Sequence, residues 1–184
     1  MTDAATTTDV ETVTTEGADG ALNRYPIVVL ASSTGPGPAK SFTDFIRGPR
    51  GQQVLADAGH EVVDIGPFTY DPDDDYPPFC TAVGEAVVAQ PGSFGVVIGG
   101  SGNGEQIAAN KVRGARAALA WNTDTAQLAR QHNDAWIVSV GARQHSEAEA
   151  LAIVDAFLAE PFSADERHER RIGIIRSFED TGTV

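Results

Sequence analysis

Residues 93–111 constrain this chain more than any other stretch. An uncharged apolar run (Phe94, Val96, Val97, Ile98) breaks into Gly99, Gly100, Ser101, Gly102, Asn103, Gly104, and the sequence resumes with the helical spacing of Glu105, Ile107, Ala108, Ala109 and Lys111. The order is buried strand, glycine turn, helix start. Such a turn leaves several backbone N–H groups without partners and aims them, with the positive end of the helix dipole, at one small volume. That volume suits an anion or a developing oxyanion. Glu105, at the mouth of the turn, reads either as a dipole-compensating cap or as a general base.

Familiar glycine motifs do not fit. The third glycine of a dinucleotide fingerprint is replaced by Glu105 or Ile107, depending on register, and no phosphate-loop lysine follows the last glycine. A nucleophile elbow is excluded because Asn103, not glycine, stands two residues after Ser101.

The 184 residues suffice for one domain and a tail. A formal charge of -13 argues against nucleic acid and anionic membrane as partners, so any positive site must be local. The single cysteine, Cys80, excludes an intrachain disulfide framework and points to a reducing, cytoplasmic compartment. No apolar run approaches a membrane span, and the N-terminus has neither the basic region nor the apolar core of an export signal.

Residues 1–23 are acidic and threonine-rich, almost without large apolar side chains, and read as a disordered tail before a single domain at 24–184. Strands are expected at Tyr25–Leu30, Glu61–Ile65, Phe94–Ile98, Ala115–Trp121 and Ala135–Val140. Helical spacing falls between them: two pieces over 42–58, one through Phe79, Ala82, Val83, Ala86 and Val87, and one capped by Thr123 or Asp124 and running to about Arg130. Two more follow, one capped by Ser146 and a last one after Pro161. The alternation predicts an α/β fold, a three-layer αβα Rossmann-like domain with a five-stranded parallel sheet. Ligands gather at the carboxyl ends of such strands, here Ser33 with Thr34, the 99–104 turn, Asn122 with Thr123, and Arg143.

Two further features carry chemistry. Arg167 and Arg171 share a helix face and suit a phosphate, or else balance Asp165, Glu166 and Glu169 at the surface. His132, beside Asn133, is either a proton-transfer group or a dipole-compensating helix end. The acids Asp71, Asp73, Asp74 and Asp75 lack the calcium-loop pattern and read as a solvated loop, and His60 and His145 have no catalytic surroundings.

The strings GGSGNGEQIAANKVRGARAALAW, LARQHNDA, GAR and RHERRI, in this order and spacing, resemble the type B ribose-5-phosphate isomerase family, which includes galactose-6-phosphate isomerase subunits. The similarity covers roughly Gly59 to Phe178 and is closest to the actinobacterial branch; other members have a cysteine where this chain has Gly99. The resemblance implies that Glu105 moves a proton between adjacent carbons of a sugar phosphate. It also implies that Ser101 and the backbone of Gly100, Gly102, Asn103 and Gly104 stabilise a cis-enediolate. His132 would open the furanose ring and Asn133 bind a hydroxyl, while Arg143, Arg167 and Arg171 hold the phosphate, the last two reaching from a second subunit of a homodimer or larger assembly. No metal and no organic cofactor are implied. The family's Asp-His pair after the first strand is absent, with Ser33 and Thr34 at the matching positions, so a four- or six-carbon sugar phosphate, or binding without catalysis, are the alternatives to ribose 5-phosphate.

Overall fold

The computed structural model describes residues 23–29, 60–66 and 75–184. The acidic tail, the helical pieces at 42–58, Ser33 with Thr34, and Asp71, Asp73 and Asp74 lie outside the described residues. Five strands, β1 (Asn23–Val29), β2 (His60–Asp64), β3 (Gly95–Gly99), β4 (Ala117–Leu119) and β5 (Ile137–Gly141), form one parallel sheet in the order β2-β1-β3-β5-β4. The expected five-stranded parallel sheet is present.

Alternation along the central strands divides the core. Val96 and Ile98 of β3 and Val138 and Val140 of β5 face α3 (Thr123–Asn133) and α4 (Glu147–Ala159), packing on Ala126, Ala129, Ile153, Val154 and Phe157. Val97 and Ile137 face the other way, onto Cys80, Val83 and Val87 of α1 (Pro77–Ala89) and Ala108 and Ala109 of α2 (Asn103–Ala109). β3 and β5 are buried along their whole length, which explains why their sequences are continuous apolar runs and not alternating ones. A final helix, α5 (Glu166–Thr181), lies mostly exposed, with only His168 and Ile172 buried.

β1 and β2 begin two residues and one residue earlier than the sequence reading places them, and the bounds of β4 and α3 differ further. β4 pairs with β5 over only three residues, Ala117 to Leu119, and not over Ala115–Trp121. The side-chain amide of Asn110 takes both the N–H and the C=O of Ala117 at 2.8 Å, so the outward edge of this strand is satisfied by a side chain. The cap of α3 is Asn122, not Thr123 or Asp124: its extended backbone lets the side chain accept from Thr125 N at 2.8 Å, and the Thr125 hydroxyl reciprocates. α3 also continues past Arg130 to Asn133, closed by Asp134 in the left-handed region (φ 43). The cap of α4 is Ser146 as expected, and the Ser146 hydroxyl and N–H hold the Glu149 carboxyl below its usual range. Among the described residues no helix is long and apolar enough to cross a membrane.

Candidate active site

At the carboxyl end of β3 the chain turns through Gly100, Ser101 and Gly102 into α2. Gly102 has φ 81, open to glycine at little cost, and its carbonyl accepts the buried Ser139 hydroxyl at 2.7 Å. A Cβ there would also stand 2.6 Å from Leu119 Cδ1, so both backbone and space select glycine. The Ser101 hydroxyl accepts from Asn103 N and Nδ2 at 3.3 Å.

Glu105 is 6% exposed, in the first turn of α2. Its carboxylate lies back against Gly99, filling the space a side chain at position 99 would need. The cap of α2, Gly102, receives no side-chain hydrogen bond, so Glu105 is not acting as a cap. Among the described residues the carboxylate has no hydrogen-bond donor, and an unpartnered buried carboxylate at a strand end is where a proton acceptor belongs. Cys80, fully buried in the core cluster beside α2, is pushed up to about 12 by burial and then by the charge of Glu105. It remains a neutral thiol and does not compete as a base.

Two residues border this turn. Arg143 follows β5, whose register with β3 continues past the sheet: Ala142 N donates to Gly99 O at 2.8 Å and Arg143 N to Gly100 O at 3.1 Å. That pairing lays the guanidinium over Gly100, where no Cβ obstructs it. Tyr76, the cap of α1, places its phenol over Gly104; a Cβ on Gly104 would stand 2.6 Å from the hydroxyl. The sequence reading did not select Tyr76. Its local signal, an aromatic residue before a proline at the first helical position, marks a helix start and says nothing of Gly104.

The remaining candidates assemble elsewhere. α3 starts at the carboxyl end of β4 and runs back to the amino end of β5, so His132, Asn133 and Asp134 lie at the edge of the sheet opposite the glycine turn. Arg116, just before β4, confirms the placement: its Nε donates to Asn133 O at 3.1 Å and to Asp134 O at 2.9 Å. The His132 ring stacks on His168 of α5, centroids 4.3 Å apart and planes 13° from parallel, and Arg167 Nε donates to His168 Nε2 at 3.2 Å. Arg171 lies one turn further along α5 and its charge reaches His168. Among the described residues no hydrogen bond, ion pair or ring contact links this group to the glycine turn of the same chain. His145 is held between Gly141 O and Trp121 O, at 3.0 and 2.9 Å, as a tie between strand ends.

A parallel doubly wound sheet with a buried carboxylate at a glycine turn and an arginine-histidine group on a separate helix defines a class: an enzyme that moves protons on a small anionic substrate. The comparisons specify it. The family model for Ribose/Galactose Isomerase matches residues 51–175, and the chain belongs to that family. Ribose-5-phosphate isomerase B of Mycolicibacterium paratuberculosis is 58% identical over 133 residues, 71% of this chain and 84% of the relative. Its counterpart from Mycobacterium tuberculosis strain H37Rv is 59% identical over 127 residues, 69% and 78% of the two chains. The type B ribose 5-phosphate isomerase of Trypanosoma cruzi superposes with TM-score 0.77 at 38% identity, covering 89% of this chain and 100% of that one. The Mycoplasma genitalium ribose-5-phosphate isomerase B, solved with bound ribulose-5-phosphate, gives TM-score 0.74 at 33% identity, covering 88% and 98%.

Proposed function

We infer that this chain is an aldose–ketose isomerase interconverting ribose 5-phosphate and ribulose 5-phosphate. The observation that carries the mechanism is the Glu105 carboxylate, buried against Gly99 and free of any capping bond among the described residues. Glu105 removes the proton from C2 of the open-chain aldose, and the electron pair moves to make the C1–C2 double bond of a cis-enediolate. The same carboxylate then returns the proton to C1 while the O2 hydroxyl proton passes to O1, leaving a hydroxyl at C1 and the carbonyl at C2. Negative charge develops on oxygen during this transfer, and the N–H groups of the 100–104 turn, with Ser101 and Arg143 beside them, are positioned before it arises. His132 assists opening of the furanose ring, Asn133 holds a hydroxyl, and Arg167 and Arg171 grip the phosphate.

These last four residues sit at the wrong edge of the sheet to serve their own chain's Glu105. The 11 residues of α3 separate the two ends by about 16 Å at 1.5 Å per residue. The reading is therefore a dimer or larger assembly in which α3 and α5 of one copy complete the turn of another. The exposed Ile174, Ile175 and Phe178 of α5 supply an apolar surface in keeping with that. Mixing Glu105→Gln subunits with Arg171→Ala subunits, each inactive alone, is expected to restore up to about a quarter of wild-type activity per site pair, as random pairing of half-sites allows. No recovery after subunit exchange would place the whole site within one chain. A reducing, cytoplasmic setting belongs to the same reading, supported by Cys80 as a buried free thiol.

The decisive experiment follows C–H exchange by NMR in deuterated water across four-, five- and six-carbon aldose and ketose phosphates. Exchange and isomerisation confined to the five-carbon pair is the expected result, and would mean that Ser33 and Thr34 replace the Asp-His pair without changing substrate. Turnover of another chain length would transfer the assignment to that sugar, and exchange with none of them would end the isomerase reading.

A further inference from the structure

We propose that His168 is a positioning residue that sets His132 and Arg167 together, one imidazole fixing both the ring-opening group and the phosphate grip. The proposal rests on the isomerase reading above and deepens it. His168 itself points at no substrate: it is 2% exposed, beneath residues that are more accessible. Its ring makes two contacts of different kinds. One face stacks on His132 from α3, and its edge nitrogen Nε2 takes the Nε–H of Arg167 from its own helix.

The hydrogen bond fixes the tautomer. A guanidinium Nε only donates, so His168 Nε2 must accept and the ring proton must sit on Nδ1. Protonating Nε2 would turn the acceptor into a donor facing another donor and release Arg167. The titratable and charged groups that face His168 are His132 from α3, Asp165 at the cap of α5, and Arg167 and Arg171 from α5; the Asp165 carboxylate is 3.8 Å from Nε2, beyond hydrogen-bond reach. Burial, then the neighbouring His132, Arg167 and Arg171, pull the His168 pKa below its ordinary 6.5, which keeps the ring neutral and the bond to Arg167 intact. The segment before α5 is tied to α3 as well, through Ser163 N to Gln131 O at 3.3 Å, so the two helices present their groups as one unit.

Two substitutions separate the contacts. His168→Phe keeps a flat ring against His132 and removes the acceptor for Arg167; the KM for both sugar phosphates should rise about tenfold, with kcat nearly kept. His168→Gln keeps an acceptor oxygen near the Nε2 position and removes the ring. Ribulose 5-phosphate cannot close a furanose, because its C5 oxygen carries the phosphate, so its C1 proton exchange does not need ring chemistry. His168→Gln should therefore hold KM and C1 exchange near wild type while net conversion to ribose 5-phosphate falls about three- to tenfold relative to exchange. Equal losses of both quantities in both variants, or no loss, would overturn the proposal. Independently of turnover and of how the variants fold, the ¹⁵N spectrum of the wild-type protein should show His168 protonated at Nδ1 with a hydrogen-bonded, unprotonated Nε2. A protonated Nε2 near pH 7 would overturn it. Wild-type protein that exchanged no proton of any sugar phosphate would remove the isomerase reading instead, and the nitrogen spectrum would still decide the His168–Arg167 arrangement.

Discussion

Glu105→Gln lowers kcat on ribose 5-phosphate by at least about 10²–10⁴-fold, the usual range for losing a positioned general base, and leaves KM within about a factor of two. The split follows from the geometry. Glutamine is nearly the same size and shape, so the space beside Gly99 stays filled and the turn keeps its form. No hydrogen bond among the described residues is lost, because the carboxylate accepts none. What disappears is the basicity of the carboxylate, since an amide oxygen keeps its lone pairs but does not take up a proton near neutral pH. Gly99→Ala should produce a comparable loss by a different route, since a Cβ at 99 occupies the place of the Glu105 carboxylate and the carboxylate must leave. Both changes disable one group, so the double variant should be little worse than either single one. Steady-state kinetics with deuterium exchange measures all three, and retained turnover in Glu105→Gln would move the base to another residue.

The elements that were legible from the sequence are those whose cause is local. An apolar run without charge between a helix and six turn residues admits little but a buried strand entering a glycine turn, and β3, the turn and α2 lie where that reasoning places them. The Ser146–Glu149 capping box is local in the same way. Asn122 was harder, because Asn122, Thr123, Asp124 and Thr125 are all capable of capping and only backbone geometry chooses among them. The group around His168 was hidden for another reason. RHERRI displays its arginines, but the histidine between them acquires a purpose only through a ring on a different helix. Tyr76 is the same case, its partner being a glycine that offers no side chain to signal the contact. Local pattern did not place His132 and Asn133: the family resemblance implied a second subunit only for Arg167 and Arg171, and it is the folded course of α3, from the carboxyl end of β4 to the amino end of β5, that sets His132 and Asn133 at the edge opposite the glycine turn.

Asp134→Ala should destabilise the fold by about 3 kcal/mol, the lower end of the range for removing one partner of a buried ion pair, and lower Tm by roughly 6–12 °C. Asp134 binds two cations at once, Arg116 at 2.8 Å and Arg130 at 2.9 Å, and also accepts from Trp136 Nε1 at 3.1 Å. The side chains of Arg130 and Arg116 are only 8% and 13% exposed, so neither guanidinium can turn to water when its carboxylate is removed. Burial already outweighs the attraction of Asp134 at Arg116, whose pKa lies below its ordinary value. Backbone adds to the loss, because φ 43 suits Asp and Asn better than Ala. Asp134→Asn, which tolerates that backbone and keeps the shape, isolates the charge and should fall between wild type and Ala. Arg116 also anchors the carbonyl of Asn133, so variants that remain folded should lose ring-opening activity ahead of proton exchange, as the His132 end of α3 loosens. Thermal and urea unfolding at matched protomer concentration, which holds any contribution of self-association constant, measures the series. A loss below about 1 kcal/mol for Ala would mean that Arg116 and Arg130 are held by their carbonyl partners and that Asp134 serves mainly as the helix end.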